Sequence, residues 1–319
     1  MLTDPLNAFT EFIIRGGDYE HTLGITGIYG NGIDIRYEAM RPQDIFVPML
    51  ETRRFEICEF SLANYLTLRA TGKHWFTAVP VFPSRAFRHG LAVTRRDSAL
   101  TRLEQLADKR VGVEDYSMTA AVWFRGLLHE EHGITNRSIT WVTRPKQRFA
   151  FPEEAKVETT TADLEQLLLD GAIDALLGFN LKDTRLPPQQ RRLRPLLADA
   201  EREERAYYER TSIFPIMHCV VIRNDVLDRA PALVDAICRA YAAAKERAYS
   251  RQLGATLVPW GKNHWARTFE LFGGDPLSYG WTAVNRMVVE RLAHYLHQQA
   301  FIPAVPDVAK LFALPLIPI

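Results

Sequence analysis

Strand-like and helix-like apolar segments alternate along this chain, and that rhythm restricts it to a parallel α/β arrangement more than any other feature. Residues 12–14 form a short apolar run ending at Gly16-Gly17, as a strand and its turn would. Residues 21–29 suit a short helix, Gly30-Asn31-Gly32 a turn, and residues 33–37 alternate with the two-residue period of a half-buried strand. Pro42 opens a helix through Leu50, since the first helical N–H has no partner to lose. Residues 55–60 are a further strand, and Ser61 caps a helix through Leu62, Tyr65 and Leu68.

The middle of the chain repeats the pattern. Strands are expected at 77–82, 90–94, 110–113, 139–142 and 173–177, with helices at 103–109, 119–132 and 164–169. Residues 184–206, rich in Pro, Gln, Arg and Glu, read as a solvated connection or exposed helix. An apolar strand at 216–222 and helices at 231–249 and 284–298 complete the reading. A length of 319 residues favours about two domains. Two α/β lobes place a ligand cleft between them, beyond the carboxyl ends of the strands.

The formal net charge of +1 offers no global field for a polyanion, so a nucleic-acid partner is not expected. An acidic ligand must be held by local Arg or Lys. The three cysteines, Cys58, Cys219 and Cys238, are widely spaced and form no CxxC, so buried free thiols are expected rather than disulfides or a zinc ribbon. No run of about 18 apolar residues marks a membrane span. The N-terminus carries no basic or apolar export signal, which favours the cytoplasm. No metal or cofactor motif is visible: the histidines of 129–132 and those at 294 and 297 are spaced i, i+3, not i, i+4, and the glycines at 24, 27, 30 and 32 make no GxGxxG.

The residues just after each expected strand carry the candidate chemistry. Asp18 and Tyr19 follow the first, and Ser61 opens a helix after the third. Arg85, Arg88 and His89 lie in the loop after 77–82, and Tyr116, Met118 and Thr119 lead into the helix at 119. Two helix N-termini and two planar guanidinium groups would make a carboxylate site. Taken singly, the arginines suit surface ion pairs equally well, and Ser61 and Thr119 suit plain helix capping. His218 stands in the apolar run Ile216-Met217-His218-Cys219-Val220, either as a satisfied core histidine or as a proton donor tuned by burial. Arg125 reads as facing the cleft or the surface, and 201–205 as a solvated charge run.

Several of these segments, in order from about 16 to 280, resemble the 4,5-dihydroxyphthalate decarboxylase family. They are Gly17-Asp18-Tyr19 with Thr22; 55–59 with Ser61-Leu62 and Tyr65-Leu66; 80–85 with Phe87-Arg88-His89; 109–113 with Tyr116, 118–123 and Arg125-Gly126; Tyr207-Tyr208 with Thr211 and 213–218; and Asp275-Pro276 with Tyr279-Gly280. The resemblance implies a two-lobed type II periplasmic-binding-protein-like α/β fold. In it, 1–94 and 214–319 form a discontinuous lobe one and 95–213 form lobe two. The chain departs from the family at 177–180, which makes Asn180 a candidate determinant of substrate choice.

The resemblance further implies a carboxy-lyase that removes CO2 from a hydroxylated aromatic acid, 4,5-dihydroxyphthalate first, without metal or organic cofactor. Direct CO2 loss would leave an in-plane carbanion, so ring-carbon protonation should come first. This needs a proton donor, a partner for the phenol and a carboxylate anchor. His218 is assigned as donor, and Asp18 or His89 as partner of the phenol. Arg85 and Arg88, with the helix start at Met118-Thr119, hold the carboxylate, and Ser61 and Tyr116 orient the ring. The rival reading is a non-catalytic binding protein for an aromatic or other small anion, because one scaffold hosts both binders and catalysts. The partner is in either case a small aromatic carboxylate, and a homo-oligomer is compatible with the sequence.

Overall fold

The computed structural model describes residues 10–29, 32–178, 180–254 and 258–316. The turn read at Gly30-Asn31, Phe179 and the extreme termini lie outside the described residues. In chain order the strands and α-helices begin with β1 (Thr10–Gly16), β2 (Gly27–Tyr29), β3 (Ile33–Ala39), α1 (Pro42–Thr52), β4 (Ile57–Ser61), α2 (Leu62–Ala70) and β5 (Phe76–Arg85). Then come β6 (Ala92–Arg95), β7 (Arg110–Val113), α3 (Thr119–His132), β8 (Thr140–Thr143), β9 (Val157–Thr159), α4 (Leu164–Leu169), β10 (Ala175–Leu177), β11 (Leu193–Pro195) and α5 (Ala200–Thr211). The chain ends with β12 (Ile216–Arg223), α6 (Asn224–Arg229), α7 (Leu233–Gly254), α8 (Gly261–Phe272) and α9 (Ala283–Gln298).

The chain divides into two compact units. The first takes the described residues up to Arg85, then Ile216–Met287 and those from Asp307 on. The second takes Ala86–Pro215 and Val288–Pro306. The boundary therefore falls inside α9, whereas the sequence reading ran 214–319 through one lobe.

The first unit is built on a sheet of order β2-β3-β1-β4-β12-β5. β1 runs parallel to β3 and β4, and β12 is antiparallel to both β4 and β5. One face carries Phe12, Ile14, Ile35, Ile57, Val220 and Ile222, packed against Ile237, Ala240, Tyr241 and Ala244 of α7. Burying each large aliphatic side chain contributes about 1.5–3 kcal/mol. The second unit holds a sheet of order β11-β6-β10-β7-β8-β9, with Val93, Val142 and Leu176 packed against Leu164 and Leu168 of α4. In the same unit α3 meets α9 closely: a Cβ on Gly126 would stand 2.2 Å from the Tyr295 ring.

Local signals explain the element ends. Pro42 occupies the first turn of α1, Ser61 accepts from Asn64 N at the start of α2, and Gly133 closes α3 with φ 67°. The three cysteines are buried free thiols, as expected. Residues 21–29 are not a helix. They form a single 3₁₀ turn, Glu20–Thr22, followed by β2, because Gly24 and Gly27 both have positive φ. β9, β11 and α8 went unread, the strands being three residues long and α8 having no buried residue. Among the described residues no helix is long and apolar enough to cross a membrane.

Candidate active site

The first unit gathers polar groups at the carboxyl ends of β1 and β4. In the antiparallel ladder His218 faces Ser61 and Val220 faces Glu59. The two-residue period of both strands therefore sets Glu59, Ser61 and His218 on the face that carries α7, with Glu59 and His218 as diagonal neighbours. His218 Nδ1 lies 2.5 Å from Glu59 Oε1. A carboxylate oxygen only accepts, so Nδ1 carries the proton and donates it. Nε2 is then the nitrogen left to exchange a proton, and it has no hydrogen-bond partner among the described residues. The Glu59 side chain is fully buried, while that of His218 is 18% exposed, so the ring connects the carboxylate to the surface. Phe46 holds the ring edge-on at 5.0 Å.

The turn after β1 completes the carboxylate's shell. Gly17 N–H donates to Glu59 Oε2 at 2.6 Å, and the Tyr19 hydroxyl donates to Oε1 at 2.9 Å. Tyr37 and Thr22 hydroxyls donate to Gly17 O at 2.8 and 3.0 Å. Side chains cannot replace the two glycines here: a Cβ on Gly16 would lie 2.4 Å from the Tyr37 hydroxyl, and one on Gly17 2.2 Å from the Tyr19 ring. Burial alone would raise the Glu59 pKa. The His218 bond and charge, with the Gly17 and Tyr19 donors, outweigh it and hold Glu59 below the ordinary glutamate range. Burial, and then the Glu59 charge, push the Tyr19 phenol well up, so it stays a neutral donor.

His21 stacks on Tyr19 with centroids 5.3 Å apart and donates Nε2–H to Pro83 O at 2.8 Å. Burial lowers its pKa, which leaves it a neutral ring that braces the tyrosine. Arg85, at the end of β5, donates Nη2 to Ser278 O at 2.7 Å and to Asn285 Oδ1 at 2.6 Å. Asn285 is itself fixed by donating to Ser278 O and Gly280 O. Asp18 is exposed in the turn between Gly17 and Tyr19.

The first unit thus carries Ser61, Arg85 and His218 on one sheet and Asp18 in the turn after β1. Ser61 keeps the helix-capping role, and its buried hydroxyl lies directly across the ladder from His218. The remaining candidates belong to the second unit. Arg88 is 8% exposed, and burial lowers its pKa to about 10. His89 is buried, bonded through Nε2 to Glu131 at 3.3 Å and packed on Tyr207. The Tyr116 ring, expected to orient a substrate, is a core side chain 1% exposed and lies under the Arg125 guanidinium at 3.8 Å. Met118 and Thr119 begin α3, and Asn180 is exposed with φ 55°.

Glu59 and His21 were not among the sequence candidates, and Tyr19 was named only as a residue following the first strand. Glu59 carried the signal that singled out His218, a charged side chain in an otherwise apolar strand. Only the strand register makes the two a pair.

The fold defines a class, the type II periplasmic-binding-protein-like α/β proteins. Residues 30–256 match the family model described as "ABC transporter, phosphonate, periplasmic substrate-binding protein". The crystal structure of the periplasmic aliphatic sulphonate binding protein SsuA from Escherichia coli superposes with a TM-score of 0.57 at 12% identity, covering 95% of this chain and 91% of that one. Among curated proteins, the 4,5-dihydroxyphthalate decarboxylase of Comamonas testosteroni is 32% identical over 88% of this chain and 89% of its own length. That of Pseudomonas putida is 35% identical over 46% of this chain and 61% of its own. The chain belongs to this binding-protein-like family and to the 4,5-dihydroxyphthalate decarboxylase family.

Proposed function

We propose that this chain is a carboxy-lyase acting on a hydroxylated aromatic dicarboxylic acid, with 4,5-dihydroxyphthalate as substrate and protocatechuate as product. The observation that carries the reading is the Glu59–His218 pair: a buried carboxylate takes Nδ1–H and leaves Nε2 on the exposed side. That is the arrangement of a positioned general acid.

His218 Nε2–H delivers its proton to the ring carbon that bears the departing carboxylate. A hydroxyl para to that carbon feeds electron density into the ring as the C–H bond forms. The C–C bond then breaks, its electron pair restores the aromatic ring, and CO2 leaves. Solvent reprotonates Nε2. The Glu59 carboxylate holds the ring's orientation throughout and is itself held by Gly17 N–H and Tyr19. Arg85 is the anchor proposed for the retained carboxylate within the same unit. Asp18, exposed beside Tyr19, is the group proposed to take the phenol proton and to return it once CO2 has left. Arg88, Met118, Thr119 and Asn180 belong to the second unit, and the protein is proposed to be cytoplasmic.

The test is to incubate the purified protein with 4,5-dihydroxyphthalate and follow CO2 and protocatechuate. Turnover that is lost in His218→Ala supports the reading, and full turnover in that variant sinks the acid assignment. The match to a periplasmic substrate-binding family favours a second reading, a solute-binding protein for a small aromatic anion. Ligand-dependent thermal stabilisation without product would select it.

A further inference from the structure

The second unit contains a buried cation with no acidic partner among the described residues. Arg125, on α3, is 2% exposed. Its Nε donates to Gln299 Oε1 and its Nη2 to Tyr116 O, both at 2.8 Å. Gln299 has no freedom to turn, because its amide Nε2 donates to Val122 O at 2.9 Å. Nη1 is buried with no acceptor among the described residues, and so are the Tyr116 hydroxyl and Trp141 Nε1. Those two rings pack on the same guanidinium, at 3.8 and 5.4 Å. Arg125 thus keeps one unpaired donor of its own, and the two rings packed on it each keep another.

Among the described residues no carboxylate is ion-paired or hydrogen-bonded to Arg125. Asp115, whose field reaches Arg125, is bonded to Arg148 at 3.0 Å and to the Ser117 hydroxyl at 2.6 Å. Glu154 is paired to Arg137 at 2.6 Å. Arg125 also lines a cavity of about 300 Å³, whose wall includes His129, Asn136, Arg137, Glu154 and Gln299. That volume is at the small end of ligand pockets, and polar side chains interrupt a wall that also includes Pro152, Ala155 and Ala300. A buried charge with unpaired donors calls for an acceptor-rich counterion.

We propose that this cavity is a second ligand site, for a small oxyanion, a carboxylate or a phosphate, received by Arg125 Nη1 with Arg137 at its wall. It is formed wholly by the second unit and does not depend on the Glu59–His218 site. The occupant neutralises Arg125, so its binding also steadies the contact between α3 and Gln299.

The experiment is calorimetric titration of the full chain at neutral pH and constant ionic strength, with inorganic phosphate in one series and sodium acetate in the other. Saturable one-site binding of either anion is expected, and the series that saturates identifies the oxyanion class. Arg137→Gln, an exposed change, should weaken binding several-fold without loss of fold. Ala155→Trp, which fills the cavity, should abolish binding and leave decarboxylation unchanged. Arg85→Ala should leave the isotherm as it is. No saturable binding, an isotherm unaffected by Ala155→Trp, or one lost in Arg85→Ala would overturn the proposal.

Discussion

A histidine–glutamate pair of the first unit and one of the second use the same chemistry for different ends. In the first unit Glu59 is fully buried and bonded to His218 at 2.5 Å, and its other acceptor sites are filled by Gly17 N–H and the Tyr19 hydroxyl. In the second, His89 is buried at 2% side-chain exposure, while its partner Glu131 is 17% exposed, lies 3.3 Å away and is shared with Arg210. The open nitrogen differs as well. His218 keeps Nε2 on its exposed side, whereas the unpaired Nδ1 of His89 is sealed in the interior. A histidine can exchange a proton with a substrate only when one nitrogen is held and the other is reachable. His218 meets that condition and His89 serves as a brace between α3 and the segment before β6.

The sharpest way to break this contrast is paired substitution. His218→Gln should lower kcat by about 10²–10⁴-fold, the usual contribution of a positioned acid. His89→Gln should lower the thermal midpoint and leave kcat within about tenfold of wild type. Steady-state protocatechuate formation and calorimetry on both proteins decide it. An inactive but fully folded His89→Gln would transfer the acid to the second unit.

Glu59→Gln should reduce kcat by roughly 10²-fold, the lower end of that range, because the donor remains but its orienting charge is lost. KM should move little. A large KM change with constant kcat would mean that Glu59 shapes binding rather than proton transfer.

The pH dependence of stability tests the same carboxylate without substrate. The folded Glu59 pKa is depressed, so its stabilisation is fully present above the ordinary glutamate value of about 4.3 and is lost as pH falls through the lower folded value. Acid melts of wild type should therefore fall more steeply below that point than those of Glu59→Gln. Parallel curves would mean that the folded carboxylate is not stabilised by His218. The smallest expected effect is that of Tyr19→Phe, about 1 kcal/mol in chemical denaturation for one lost hydrogen bond to Glu59.

Much of this molecule could be read from residue order alone. Apolar periodicity located β1, β3, β4, β5, β12 and the long helices, because a buried strand or helix face imprints its own period on the sequence. Family motifs identified the fold and the reaction class, and the apolar setting of His218 marked it as a residue to watch. Local pattern failed where short elements bury too little to leave a period, as in β9 and β11, and where two glycines turned 21–29 away from a helix.

The site itself was decided by the tertiary structure. Glu59 and His218 are 159 residues apart, and only the register of β4 against β12 sets them on one face. The same holds for Arg125, which the sequence left between a cleft and a surface position. Packing with Tyr116, Trp141 and Gln299 buries it instead. Periodicity reports which face of an element is buried, but not what lies opposite. Partners distant in sequence are chosen by strand register and packing, and these exist only once the chain has folded.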